Sequence, residues 1–145
     1  MLSKVHSSAI SGIDAYIVEV ETHMEGNIPS FHMVGLPDNT VRESRERVIS
    51  AIKNSGLTFS FNKRITINLA PADLKKGGSS YDLPIALSIL SAQGALSEEK
   101  LEDFVILGEL ALDGSLRPVR GVLSSAIEAR KRGKKGLMIP AKNAR

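Results

Sequence analysis

Arg64 to Gly94 reads RITINLAPADLKKGGSSYDLPIALSILSAQG, and this stretch decides the fold. RITINLA alternates apolar and polar residues, the pattern of a strand with one buried face. Leu83 to Gln93 is apolar almost throughout, too long for a strand, and Gly94 suits a helical C-terminus. A helix apolar on most sides has to lie at the centre of the molecule. Between the two sits a turn rich in glycine and serine, and a serine presented at the mouth of a helix is a common place for a nucleophile. Ser80 is therefore the first candidate. Ser79 and Ser80 also suit a structural role, because Ser79-Ser80-Tyr81-Asp82 has the Ser-x-x-Asp form of a capping box. Pro84 is tolerated only in a first turn, which sets the helix start at Ser80 or slightly later.

Working outward, Ile13 to Glu21 alternates and Pro29 to Leu36 is rich in β-formers, with the turn-like HMEGN between them, so a hairpin is expected. Asp38 to Gly56 places Val41, Val48, Ile49 and Ile52 on one side of a helix and Arg42, Glu43, Arg45, Glu46 and Lys53 on the other, with Gly56 at the C-terminal cap. Downstream, SEEKLEDF reads as a short helix. VILGELALDGSLRPV reads as two brief strands around the tight turn Asp113-Gly114. Gly121 to Lys135 reads as a helix with a basic last turn, and Gly136 to Pro140 as a final strand. The ending AKNAR follows that strand with no cap, as at a cut domain boundary. The expected architecture is one α/β (α+β) domain over residues 1–145, a mixed sheet packed with helices.

Composition narrows the function classes. The chain has 145 residues, 42% hydrophobic and 24% charged, with no cysteine and no tryptophan. Disulfides and thiolate metal sites are excluded, a cytoplasmic setting is expected, and aromatic platforms for stacking on bases are few. No stretch approaches a membrane span, so no membrane partner is expected. Up to Leu116, 10 Lys and Arg stand against 15 Asp and Glu; from Arg117 on, 9 stand against Glu128 alone. Such asymmetry points to an anionic partner, DNA or an acidic domain, or to a solvated amphipathic helix. The cations concerned are Arg117 and Arg120 near the start of the last helix, and Arg130, Lys131, Arg132, Lys134 and Lys135 at its end. Their expected use is phosphate contact, which gives affinity without sequence choice.

Other chemistries lack their parts. A phosphate-cradling loop needs G-x-x-x-x-G-K-[ST], and the one Gly-Lys pair, Gly133-Lys134, has neither the upstream glycine nor the following hydroxyl. His6, His23 and His32 are widely spaced, and Gly77-Gly78 does not extend to a dinucleotide fingerprint. No bound cofactor or metal is expected in this segment.

Gly108 to Pro140, with its Gly-Glu pair, Asp-Gly turn, Pro-Val before a glycine, helix and closing Ile-Pro, resembles part of the Lon-type protease domain. GGSSYDLPIA then falls on that family's Gly-Pro-Ser-Ala-Gly motif, which sets Ser80 on the nucleophile. Anchored on Pro118 to Val122, the position of the catalytic lysine is Leu123, which cannot accept a proton. Arg120 replaces a glycine and Tyr81-Asp82 replace Ala-Gly. Three longer motifs, GLPDNTVRESRERVISAIKNSG, INLAPADLKKGGSSYDLPIAL and LGELALDGSLRPVRGVL, make the whole chain similar to the N-terminal domain of the YifB/ComM proteins, which are magnesium-chelatase-like. That resemblance implies a fold shared with the second domain of small-subunit ribosomal protein five, the Lon protease domain and the C-terminal domain of RadA. It implies an AAA+ ATPase module that follows and uses ATP and Mg2+, and hexamers acting as DNA helicases in branch migration during natural transformation. The expectation is a non-catalytic domain, partnered by its own AAA+ module and identical subunits, that helps assemble the ring or position DNA. A residual serine hydrolase using Ser80 and a pure interaction scaffold stand as alternatives.

Overall fold

The computed structural model describes residues 2–57 and 62–144. Ten N-terminal residues, Leu2–Ser11, form strand β1, and Asp14–Glu25 form β2, paired antiparallel along their full length from Leu2↔His23 to Ser11↔Asp14. Ser30–Val34 (β3) does not fold back on β2. It runs parallel to Arg64–Ala70 (β4), which lies between the two and pairs antiparallel with β2. The expected hairpin of β2 and β3 is thus corrected: the partner of β2 was upstream. β1 escapes sequence reading because its buried positions include Ser3, Ser7 and Ser8, which hide the apolar alternation. Each hydroxyl is satisfied, Ser3 on the Ser88 carbonyl at 2.5 Å, Ser7 on the Ile106 carbonyl at 2.7 Å, and Ser8 with the Ser125 hydroxyl at 2.6 Å. A paired hydroxyl can be buried at little cost.

Phe104–Ile106 (β5) and Gly136–Met138 (β8) extend the sheet in parallel, giving the order β3-β4-β2-β1-β5-β8. Glu109–Leu110 (β6) and Leu116–Arg117 (β7) form the expected small hairpin apart from it. The mixed α/β fold read from the sequence is present. Register assigns the faces: Val5, Val18, Val20, Ile65, Ile67 and Leu69 point one way and are buried at 3% exposure or less. Onto that face pack Ser44–Asn54 (α2) and the central helix Asp82–Ala92 (α3), where Ile85, Ile89 and Leu90 close the core. Val122–Lys131 (α5) packs on the other face, over β1 and β2. Glu98–Leu101 (α4) lies against β1. The helix expected over Asp38 to Gly56 is broken once, since Asn39–Arg42 (α1) ends at Glu43 before α2 begins. Gly56, at φ +78°, follows the C-cap as expected. Ala141–Ala144 forms a 3-10 turn, and the Asn143 side-chain amide grips the Val119 backbone twice, accepting from its N–H and donating to its carbonyl at 2.9 Å each.

The capping box does not form. Tyr81 is the N-cap of α3 and its side chain makes no cap bond, while the Ser79 hydroxyl donates to Glu109. Asp82 serves packing instead. Fully buried, its carboxylate accepts from the Ser44 hydroxyl at 2.5 Å, Arg47 Nε at 2.6 Å, Arg47 Nη2 at 3.0 Å and the Leu110 N–H at 3.0 Å. One carboxylate therefore joins α2, α3 and β6. Asp82→Asn removes the charge that faces the Arg47 guanidinium and sets an amide NH2 against two of the four donors, so it is expected to cost about 3–5 kcal/mol, read from urea unfolding midpoints.

Candidate functional site

A cleft of about 510 Å³ opens between the end of β1 and the turn before α3, with Pro118 to Arg120 as its third wall. Its position follows from the loops. Gly35 has φ +103°, and a Cβ there would lie 2.0 Å from the Leu69 carbonyl oxygen, so only glycine lets the chain leave β3 so close to β4. Leu36, also at positive φ, accepts from the Lys76 N–H at 2.9 Å, and the Asp38 N–H donates to the Lys76 carbonyl at 2.8 Å. Asp38 then caps α1 through Oδ1, on the Val41 N–H at 2.8 Å, and holds the Gly78 N–H through Oδ2 at 3.2 Å. These bonds fix Gly77 to Ser80 as the cleft floor.

Ser80 is half-buried in the cleft wall. Among the described residues, no side chain hydrogen-bonds its hydroxyl. Lys76 is buried, its ammonium pKa lowered by desolvation, but Nζ donates to the Pro71 carbonyl and does not line the cleft. Leu123, the residue aligned with a Lon-type lysine, is 75% exposed on α5 and lies outside the cleft lining. Lys75 and Arg120 do line it. Glu109 is engaged by Ser79 and by Arg117 at 3.7 Å. Burial and the nearby Asp38 raise the pKa of Tyr81, so its phenol stays protonated through the physiological range. The cleft thus offers hydroxyls, backbone, two cations and the Glu109 carboxylate, which is taken up by Ser79 and Arg117, and among the described residues no base is hydrogen-bonded to Ser80.

The seven cations divide. Arg132 pairs with Glu128 at 2.8 Å, Lys135 with Asp103 at 3.2 Å and Arg117 with Glu109 at 3.7 Å. Lys134 Nζ donates to the Glu102 carbonyl at 3.0 Å and lies 3.4 Å from His6 Nδ1. Arg120, Arg130 and Lys131 are exposed and, among the described residues, have no carboxylate partner. Sequence spacing placed these residues at the ends of α5 but carried little signal of which three of them would be neutralised by carboxylates. Missed as well were Arg47 and Ser44 around Asp82, since their partner lies 35 and 38 residues away.

Gly133-Lys134 follows α5 instead of opening a helix, so this pair is not placed at a helical N-terminus as a phosphate-cradling loop would be. Among the described residues there is no group of three or more His, Asp or Glu placed to hold a metal, and no helix long and apolar enough to cross a membrane.

A six-stranded mixed sheet with a cleft at the Gly-Ser turn defines the class, and comparison with known proteins gives the family. Residues 20–143 match the family model for subunit ChlI of Mg-chelatase. The chain belongs to this Mg-chelatase-like family. It is 52% identical over 134 residues to the uncharacterized protein YifB of Escherichia coli K12, covering 92% of this chain and 26% of that protein. It is 45% identical over 143 residues to the competence protein ComM of Haemophilus influenzae, covering 99% of this chain and 28% of that one. A Lon protease of Protochlamydia amoebophila is 27% identical over 144 residues, 17% of its length. The chain thus spans about a quarter of the YifB and ComM relatives.

The junction of β1 with the basic end has a titratable probe. Burial first, and then Lys134, lower the pKa of His6 below the ordinary 6.5. The stability this histidine contributes is present above 6.5 and is lost as pH falls through its depressed pKa. By NMR titration, Lys134→Gln is expected to raise the His6 pKa and leave part of the depression, which is due to burial.

Proposed function

We propose that the chain is the non-catalytic N-terminal domain of a YifB/ComM-like AAA+ ATPase, a domain that helps assemble the ring and position DNA for a motor that uses ATP and Mg2+ elsewhere in the protein. The observation that carries this reading is a cleft serine that no base engages: Ser80 stands at the Gly-Ser turn, the Glu109 carboxylate is held by Ser79 and Arg117, and Leu123 lies on the open surface. A serine becomes a nucleophile when a neighbour takes its proton, and here the nearest buried lysine is committed to a carbonyl. The name of the ComM relative, a competence protein, supports a role in DNA uptake or recombination for the whole protein.

A fluorophosphonate probe tests the catalytic half of the proposal. No labelling of the chain is expected, in wild type or in Ser80→Ala; labelling of wild type that Ser80→Ala abolishes would sink it in favour of a residual hydrolase.

DNA contact rests on Arg120, Arg130 and Lys131, the cations free of carboxylates. Phosphate contacts release counterions, and three of them give a slope of about −3 in log affinity against log salt, where all seven would give about −6. Fluorescence anisotropy on single-stranded and four-way-junction DNA reads this slope. Arg130→Ala with Lys131→Ala is expected to bring it down to about −1. An equal slope in the variant removes α5 as the contact.

A further inference from the structure

Strand β1 runs on past its neighbour β5, and the overhang falls at the cleft. The Lys4 N–H donates to Glu98 Oε1 at 2.7 Å, so even-numbered positions of β1 turn their N–H and carbonyl away from β2. His6 uses that edge to meet Val105 of β5. After Ile106 the chain turns off: the Leu107 N–H donates to the Met138 carbonyl and the Gly108 N–H to the Ser80 carbonyl, both at 2.9 Å. The Ser8 carbonyl and both backbone groups of Ile10 are then without a backbone partner among the described residues. Ser8, Ala9 and Ile10 line the cleft. A run of open N–H and carbonyl groups is the template on which an extended chain adds a strand.

Charge and hydroxyls in the same cleft define the occupant. Ser8 and Ser125, both buried, share one hydrogen bond at 2.6 Å, so one of their two hydroxyl protons has no acceptor among the described residues, and both residues line the cleft. Lys75, exposed on the lining and outside the DNA contact proposed above, has no carboxylate partner among the described residues. Arg120 adds a second positive charge, and Glu109, the carboxylate of the lining, is held by Ser79 and Arg117. A spare donor beside unpaired cations suits an anionic acceptor. A phosphate backbone offers acceptors alone and would leave the Ser8 and Ile10 carbonyls unmet, whereas a peptide offers donors and acceptors in alternation. We infer that the cleft takes an extended peptide segment, which pairs with the free edge of β1 and sets a carboxylate, a C-terminus or an acidic side chain, against Lys75. The volume of about 510 Å³ is that of a ligand site, and Leu107, Pro118 and Val119 give its side chains apolar contact. The inference rests on the non-catalytic reading of Ser80, since a base there would make such a segment a substrate.

NMR titration of the chain with the peptide acetyl-Thr-Val-Thr-Val tests this in three forms: with a free C-terminal carboxylate, as the C-terminal amide, and as the amide with Glu in place of the second Thr. Shifts at the Ile10 and Ser80 amides are expected, and the neutral amide binds about threefold to fivefold more weakly than a form that carries a carboxylate. Tighter binding of the free acid alone assigns the site to a chain terminus, and tighter binding of the Glu form assigns it to an acidic segment. Lys75→Gln, a change at an exposed position, removes the difference between charged and neutral forms. Methylation of every peptide nitrogen abolishes binding by taking away the donors. No binding of any form up to about 10 mM, equal binding of all three, a difference that survives Lys75→Gln, or a methylated peptide that binds as well overturns the inference. Mass spectrometry of the recovered peptides keeps the two readings apart. Cleavage that Ser80→Ala abolishes removes the non-catalytic reading, whereas intact peptide that fails to bind removes the inference alone.

Discussion

The Asp82 carboxylate is the constraint on which the rest of the molecule depends. Four donors from α2 and β6 converge on one side chain in the first turn of α3. A buried ion pair of this kind contributes less net stability than its Coulomb energy suggests, because both charges leave water. Its value is in geometry. A planar guanidinium meeting a carboxylate through two nitrogens accepts few orientations, so the angle between α2 and α3 is set where the two helices pack on each other and α3 meets the sheet. Aliphatic packing alone would tolerate a slide of one helix along the other.

The same residue anchors the segment beside Ser80. Where Lon-type enzymes carry a small Ala-Gly pair beside the nucleophile, this chain has Tyr81, almost fully buried, and Asp82, turned inward to Arg47. The segment that would present a reactive serine is instead anchored to the core from below. From above it is held by Asp38 and by the backbone of Lys76. Ser80 is left on a stiff floor, with structural groups engaged around it.

How much of this was legible in the sequence depends on the range of each interaction. The central helix, β4 and the last helix were legible because period and turn residues are local signals. β1 was not, because its inward serines are satisfied by partners 85 and 99 residues away, and a hydroxyl with a distant acceptor looks like any surface serine. Strand pairing failed for a related reason. β2 and β3 are neighbours in sequence and suit a hairpin, and only the alternation of β4, matched to both, lets it enter between them. Of the candidate site, the serine turn and the basic helix ends were legible from motif and charge. The split into paired and unpaired cations was not, since Asp103 lies far from Lys135 in the sequence and the pairing of Glu109 with Arg117 depends on the register of their hairpin.

The clasp of Asn143 on Val119 has a mechanical consequence. Tension applied at the terminal turn does not first peel β8 from the edge of the sheet. It is carried by two parallel hydrogen bonds into the segment that forms one wall of the cleft and leads into α5. Gly121 seats this segment against Ile10 of β1, where a Cβ would come within 2.6 Å of that side chain. Load is therefore passed to the longest-paired strand couple in the sheet, and a tug on the tail registers at the cleft before it reaches the core.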